Sequence, residues 1–543
     1  MNIEHVEKSY QELESDSTLQ NLIAQANARY ILYNTEESKE NFPRYTIKDE
    51  QLNILAFKYL NIGCNYFSEH NYLKASHSLE KGALILEYIH GSIHIQTKNK
   101  KLFCLISALS YYVCFQYSKA FILIGKLESD TMISSLVSLF LNRKFDQLLS
   151  EIDKLITNSS YGDEYLAEHF EEDNATKIYE IIIAKSLNYY VQFYQTGNKD
   201  FLEIAKKDLV NLQEVAAMRG EPDVWWVIRL LLLIIDGFKE SSLWYVLGNY
   251  FNTEDKLPLK YIQSLVYKNG SITELFLTQR NSLPKVLNNK QGSIVSIPTS
   301  SGKTRIGEIA ILNCLLNEPK AKILFIAPYR SLAYEIENSF DEIFSNLDVS
   351  VSHLYGGSLF SKLDERIIDE SSVIVATPEK AKALFRSNED ILSCIKLVII
   401  DEGHLLGTDK RLIVNEMFYE ELKYHVKANG GRFLLLSAVL PNAEDLSEWL
   451  TDSTDNVYKE NWRPSDERIG IMEWNGVSVN LNWKSTDAER NSFNPNFIMR
   501  QKLPKKPKER IMHYFPENKN QAIASTAYKL RKFGPVLILS LIH

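Results

Sequence analysis

Cysteine is scarce in this chain of 543 residues: Cys64, Cys104, Cys114, Cys314 and Cys394 are the whole set. No two form a CxxC pair, so the common zinc-site spacings are excluded. Each lies in a largely apolar stretch. All five are therefore expected to be buried free thiols of a protein working in the reducing cytoplasm. Long apolar runs are lacking as well. The longest, Trp225 to Ile235, is broken by Arg229 and is too short to span a bilayer. It is expected to be a buried helix, and no membrane partner is expected. Met1 to Glu7 lacks the pattern of a signal peptide. An excess of positive charge is absent too, the formal net charge being -8. That leaves a nucleic-acid partner open, because a local basic groove suffices. Proline is nearly absent from the first 270 residues, where only Pro43, Pro222 and Pro258 occur.

Apolar residues make up 45% and charged residues 24%, as in an ordinary soluble globular chain, and the length implies several domains. Residues 1–270 read as a large all-α domain, with apolar residues at helical spacing. Tyr59, Ile62, Gly63, Tyr66, Ala75 and Leu79 resemble a tetratricopeptide repeat, and Ala108, Tyr111, Ala120 and Ile124 give a weaker echo. A generic array of helical hairpins is the alternative. Either way, small Gly63 and Ala75 would let two helices approach closely, and stacked hairpins would offer a surface for a protein partner.

From residue 271 the texture changes. Short β-rich runs alternate with helical patterns: residues 322–327, 349–354, 372–376, 396–401 and 432–437. Buried parallel strands between helices read this way, and the expected fold class is α/β, a doubly wound parallel sheet spanning residues 271–475. Residues 476–510 read as a strand at Val477 to Trp483 followed by a basic segment, Arg500 to Arg510. That segment is an exposed linker or, alternatively, a nucleic-acid contact. Residues 511–543 offer a helix over 520–530 and a strand over 535–540.

The chemistry is concentrated in two places. Ser293 to Ser296 reads as a strand, Pro298-Thr299-Ser300-Ser301-Gly302-Lys303-Thr304 as a tight polar turn, and Ile306 to Leu312 as a helix. Strand, small-residue turn and helix make a phosphate-binding loop, with backbone N–H groups and the helix dipole aimed at phosphate. Lys303 would reach the outer phosphates of ATP, and the Thr304 hydroxyl would hold Mg²⁺. Asp401-Glu402-Gly403-His404 follows a strand of aliphatic residues. A carboxylate at that strand end can hold Mg²⁺ opposite Thr304, which suits Asp401. Glu402 is then placed to activate the water that attacks the γ-phosphate.

With these two anchors in order, the chain resembles a superfamily two helicase of the DExH kind over roughly residues 275 to 475. Further motifs carry the resemblance: Ala327-Pro328-Tyr329-Arg330, Tyr355-Gly356-Gly357, Ala376-Thr377-Pro378-Glu379 and Ser437-Ala438-Val439. The resemblance implies a RecA-like lobe of the P-loop NTPase class. It also implies that Gln279 reads the adenine edge, and that Arg330, Gly357 and Thr377 grip the backbone of single-stranded DNA or RNA. His404 and Ser437 would couple ATP state to the bound strand. The plainer alternatives are a surface glutamine at 279, a helix cap at Arg330, a turn at Gly356-Gly357 and a surface polar residue at His404. Asn461-Trp462-Arg463-Pro464 is similar to the superkiller-like branch, which implies 3′-to-5′ movement on single strands. Trp462 itself is read as a packing anchor. Some bacterial antiphage defence helicases also join a large helical region to this type of motor.

The sequence departs from the family pattern at four places. Ile297 stands where the literal P-loop pattern has its first glycine, Ser300 where glycine is frequent, and Val439 where motif III usually has threonine. Residues 511–543 look like the start of a second RecA-like lobe, without motifs V and VI. In related chemistry the arginine of that lobe contributes on the order of 10³ to 10⁵ in rate. The expectation is thus an ATP-dependent helicase whose sequence stops early in the second lobe or is completed by a partner. The alternative is a helical scaffold with an ATP-binding motor lobe that turns over poorly.

Overall fold

A computed structural model describes residues 3–35, 47–91, 100–125, 131–158, 172–352, 362–387, 390–405, 410–438, 440–464, 469–484, 492–504 and 512–539. The chain divides into two units. One comprises residues 189–203 and 235–464, the other residues 1–188, 204–234 and 465–543.

The unit of residues 235–464 is built on six strands: β1 (Gly292–Ser296), β2 (Lys322–Ile326), β3 (Val373–Ala376), β4 (Ile395–Ile400), β5 (Arg432–Ser437) and β6 (Val457–Lys459). Their order is β3-β2-β4-β5-β1-β6, and every pairing is parallel. β1 is buried along its whole length and β2 to β5 nearly so. This burial on both faces is why these strands read as unbroken apolar runs. Of the expected strand at 349–354, residues 353 and 354 lie outside the described ones, and the rest forms a single bridge, Val351 to Val373. The Ser352 N–H donates to the Val373 carbonyl at 2.8 Å and the Val373 N–H to the Ser350 carbonyl at 3.0 Å, and the Ser352 hydroxyl then takes the Val375 N–H at 2.9 Å, where the backbone pairing ends. β6 escaped the sequence reading because it is a three-residue edge strand, half exposed. Helical residues 189–203 and 235–270 belong to this unit as well as the expected α/β segment. Tyr194 donates to Glu274 at 2.6 Å, and the Trp244 indole donates to the Tyr194 carbonyl at 2.8 Å.

The other unit starts with helical hairpins. Helices Ile47–Ser68 and Tyr72–His90 meet at Gly63 and Gly82. A Cβ on Gly63 would lie 2.5 Å from the Leu79 side chain, and one on Gly82 would lie 2.9 Å from the Ala56 carbonyl. The close approach expected of the small residues is present, and Ala75 is fully buried. Ala108, Tyr111 and Ala120 are likewise fully buried, in helices Lys100–Val113 and Tyr117–Gly125. The apolar run at 225–235 lies inside helix Pro222–Ser241. No helix among the described residues is long and apolar enough to cross a membrane.

The last part of this unit differs from expectation. The strand at Val477 to Trp483 is the middle of a three-stranded antiparallel sheet, β7 (Ile469–Trp474), β8 (Ser478–Lys484) and β9 (Ser492–Met499). β9 is held to helix Ser17–Thr35: Asn27 donates to the Ser492 hydroxyl at 2.9 Å, and Asn494 donates to the Ala28 carbonyl at 2.9 Å. Gln501 and Lys502 of the basic segment pair with Tyr514 and Phe515, while residues 505–511 lie outside the described ones. Helix Lys519–Leu530 matches the expected helix, and Lys529 donates to the Phe497 carbonyl at 2.8 Å. The expected strand at 535–540 is irregular over 535–539, with Leu537 81% and Leu539 85% exposed. Among the described residues no strand lies beside it to share a ladder, and a lone strand does not persist. Two thiols also depart from the reading: Cys394 is exposed and Cys104 half-buried. Cys394 ends the short helix Asp390–Cys394 just ahead of β4, at the rim of the sheet rather than inside it.

Candidate functional site

The site forms where chain leaves the C-terminal ends of β1, β4 and β5. β1 runs into Ile297 to Gly302, and helix Lys303–Asn317 begins at once. The turn needs two residues in the left-handed region: Gly302 at φ +78° and Ser300 at φ +66°. Glycine takes this conformation freely and serine does so at a cost. The helix is fixed by its buried face, Ile306, Ile309, Ala310 and Ile311. Ser301 is buried, its hydroxyl donating to the Trp462 carbonyl at 3.3 Å and its own carbonyl accepting from Thr278 at 3.3 Å. Ser301 therefore shapes the loop, while Thr299 and Ser300 are exposed. Gln279 lies against the loop. Its Nε2 donates to the Gly302 carbonyl at 3.0 Å, and its Oε1 accepts from the Phe276 N–H at 2.8 Å. A Cβ at position 302 would sit 2.0 Å from that amide, and the positive φ of the position favours glycine. Phe276 and Trp462 pack ring against ring at 5.9 Å beside the loop, as expected of an anchor at Trp462.

β4 lies two strands away from β1, with β5 between them. The Asp401 N–H continues the sheet by donating to the Ile326 carbonyl at 2.9 Å. The chain then turns sharply, with Glu402 at φ +52°, an uncommon conformation for a residue with a side chain. Gly403 is required next, because a Cβ there would meet the Leu435 side chain at 2.6 Å. The result brings the two anchors together. Lys303 Nζ lies 3.2 Å from Glu402 Oε2 and 3.4 Å from Oε1, and His404 Nδ1 lies 3.2 Å from Glu402 Oε2. The His404 N–H donates to the hydroxyl of buried Ser437 at 3.0 Å. Ser437 also ties back to the loop, its carbonyl accepting from the Ile297 N–H at 3.1 Å.

Asp401 is 9% exposed, and its carboxylate accepts the Glu402 N–H at 2.9 Å. Burial pushes its carboxyl up to about 6, and the neighbouring Glu402 charge adds to the effect against the backbone bond, Lys303 and His404. A buried carboxylate short of positive charge is what a hard divalent cation satisfies, so the donor set of Asp401 and the Thr304 hydroxyl fits Mg²⁺.

Arg330 opens helix Arg330–Phe344 at the end of β2 and is exposed. Thr377 caps helix Pro378–Ser387 after β3, its hydroxyl accepting from the Lys380 N–H at 3.4 Å. A small cleft of about 40 Å³ lies between these loops and Asp401-Glu402, with Pro328, Pro378 and Tyr419 in its walls. Gly357 and Val439 lie outside the described residues. Sequence reasoning missed the Thr278 and Trp462 contacts to Ser301, which involve backbone carbonyls and leave no residue pattern. It also missed a buried pair on the P-loop helix, Arg305 with Glu308, joined by the Tyr261 hydroxyl at 3.2 Å from Glu308. The i,i+3 spacing of opposite charges was the available signal.

Residues 277–446 match the DEAD/DEAH box helicase family model. The chain is 40% identical to Hachiman protein HamB of Bacillus cereus over 99% of its own length and 48% of that protein. It is 33% identical to ATP-dependent DNA helicase Hel308 of Thermococcus kodakarensis over 40% of this chain and 18% of that one. The chain thus spans about half the length, or less, of these relatives. Among solved structures, the DUF1998 helicase MrfA bound to DNA and AMPPNP shares 19% identity over 38% of this chain and 30% of that one, with a TM-score of 0.34. The family match falls on the segment that carries the P-loop, the Asp-Glu-Gly-His turn and Ser437, so residues 277–446 form a DEAD/DEAH box helicase domain.

Proposed function

We propose that this chain is the ATP-hydrolysing part of a motor that moves on single-stranded nucleic acid. The observation that carries the reading is the convergence of Lys303, Glu402, His404 and Ser437 from the ends of three strands. In this reading the P-loop backbone and Lys303 hold the phosphates of ATP. Its triphosphate displaces Lys303 from Glu402, which frees that carboxylate to accept the proton of the attacking water. Thr304 and Asp401 would hold Mg²⁺, which would supply charge neutralisation at the outer phosphates. Gln279 turns from the Gly302 carbonyl to the adenine edge. Arg330 and Thr377, at two helix starts, take backbone phosphates of the strand. The path from Glu402 through His404 to Ser437 links the two events.

The similarity to Hachiman protein HamB over nearly the whole chain, together with the resemblance to helical-plus-motor defence proteins, supports a role in bacterial antiphage defence. The five free thiols fit a reducing cytoplasm. The stacked hairpins of the helical unit are the proposed seat of a protein partner.

The test is phosphate release from ATP with single-stranded DNA, single-stranded RNA or neither. Strand-stimulated turnover is expected, and it should vanish in Lys303→Ala and Glu402→Gln proteins. Unchanged turnover in both variants would refute the site assignment.

A further inference from the structure

Helix Lys303–Asn317 carries Lys303 and Thr304 at its very start, so its rotation about its own axis decides where they point. Burial of Ile306, Ile309, Ala310 and Ile311 fixes the helix in place but constrains that rotation weakly. Ile309, Ala310, Ile311 and Leu312 are consecutive and all buried, and at about 3.6 residues per turn they circle the axis once. A helix that is apolar on every side loses little packing when it turns by a fraction of a turn.

A buried polar cluster breaks that symmetry. Arg305 and Glu308 form an ion pair on one side of the helix, with Glu308 only 1% exposed. The hydroxyl of Tyr261, a fully buried residue, donates to the same Glu308 oxygen at 3.2 Å. Tyr261 belongs to helix Lys256–Tyr267, which precedes the segment matched by the helicase family. That helix is held from another side: Lys260 meets Asp348 at 2.9 Å, and Lys268, just past its end, meets Glu342 at 3.1 Å. Burial pushes the Glu308 carboxyl up, against Arg305, the Tyr261 hydroxyl and the charge of Lys268. Such a cluster is expensive to desolvate, and apolar groups of the same volume would be as stable or more so. What a buried pair can add is a single register.

The register fixed here is that of the ATP site. Lys303 stands two positions before Arg305 and therefore on the other side of the helix, where it meets Glu402 at 3.2 Å. The Arg305 N–H donates to the Gly302 carbonyl at 3.1 Å, the same carbonyl that accepts from Gln279. With Glu308 tied to Tyr261, the first turn cannot rotate without breaking a buried hydrogen bond.

We propose that Tyr261, Arg305 and Glu308 are positioning residues for ATP: they lock the rotation of the P-loop helix so that Lys303 and Thr304 point at the outer phosphates. The inference rests on the functional reading above, in which those two residues meet ATP and Mg²⁺.

The test reads the affinity of the full chain for a fluorescent, non-hydrolysable ATP analogue with Mg²⁺, together with Tm. The double variant Arg305→Met, Glu308→Leu replaces the pair by apolar groups. Its Tm should stay or rise. Its affinity for the analogue should fall about tenfold, the loss of one well-aimed charge-assisted contact. Glu308→Gln should show the reverse pattern. It keeps an acceptor for Tyr261, so affinity should stay within about twofold, while Tm falls because Arg305 loses its counter-charge. Tyr261→Phe keeps the ring and removes only the tie, and it should weaken the analogue about threefold. Full affinity in a folded double variant would overturn the proposal. Should that variant fail to fold, full affinity in Tyr261→Phe would overturn it instead. Affinity that simply follows Tm through all three variants would also overturn it, since that marks a purely structural cluster. An unmodified protein that does not bind the analogue would remove the functional reading, and this inference with it.

Discussion

Glu14 of the helical unit and Asp401 of the α/β unit are both carboxylates drawn out of water, and the fold treats them in opposite ways. Glu14 accepts from Lys81 Nζ at 2.9 Å on both oxygens and from the Tyr59 hydroxyl at 3.0 Å, with His77 at 3.6 Å. Burial pushes its carboxyl up, but these partners outweigh burial and hold it at about 2. Asp401 has a single backbone N–H at 2.9 Å, and burial leaves it at about 6. The first carboxylate joins helices, and the second is kept short of partners at a cost in stability. Sites built to take a ligand are where such a shortfall is expected.

The contrast can be broken most sharply by rate. Glu402→Gln, next to Asp401, should lower ATP turnover by at least about 100-fold, the usual scale for a general base. Glu14→Gln should leave turnover within about twofold. Equal losses in phosphate release would erase the distinction between the two carboxylates.

Stability without Mg²⁺ sharpens it next. The folded-state pKa of Asp401 lies above its ordinary value of 3.8, so ionisation is disfavoured in the fold. The penalty is absent below about pH 4, where the group is protonated in both states. It grows as pH rises toward 6 and is complete above that. Asp401→Asn should therefore be more stable than the unmodified protein by up to about 3 kcal/mol at pH 8, with the gap closing by about pH 4. Urea unfolding at several pH values measures this, and an unchanged or reversed gap would contradict the burial argument.

Glu14 should behave with the opposite sign. Its pKa is depressed from an ordinary 4.5 to about 2, so its stabilisation is present above about pH 4.5 and is lost as pH falls toward 2. Glu14→Gln should destabilise the helical unit by about 1–2 kcal/mol at pH 7, read by urea unfolding, with little effect near pH 2. The smallest expected effect lies in the P-loop. Ser300 is held at φ +66°, and Ser300→Gly should add about 1 kcal/mol of stability by relieving that conformation, seen as a higher Tm. No gain would mean that the Ser300 side chain makes a compensating contact.

Much of the α/β unit was legible in the sequence because its strands are buried on both faces and so appear as unbroken aliphatic runs. β2, β3, β4 and β5 fall within a residue or so of the expected segments. β6, with three half-exposed residues, carried no such signal. The run at 349–354 did carry it, yet its described residues pair with β3 only through one bridge, after which the Ser352 hydroxyl takes the Val375 N–H. The run at 535–539 shows the converse: its apolar residues have strand character and no neighbouring strand. In the helical unit the small residues at the hairpin seams were readable, but β7 and β9 were not. β9 is held by Asn27 and by the backbone of Ala28, residues more than four hundred positions away in the chain.

The sequence by itself determined the chemistry on offer: a P-loop with Lys303 and Thr304, a strand ending in Asp401 and Glu402, and a family resemblance covering that segment. These are local properties, set by residue type and short spacing. Tertiary structure decided what the groups do to one another. It carried the Glu402 carboxylate across β5 to within 3.2 Å of Lys303, turned Gln279 onto the Gly302 carbonyl, and buried Asp401. Strand order and burial decide these outcomes. Both depend on which distant segments pack together, and a local pattern of residues does not contain that information.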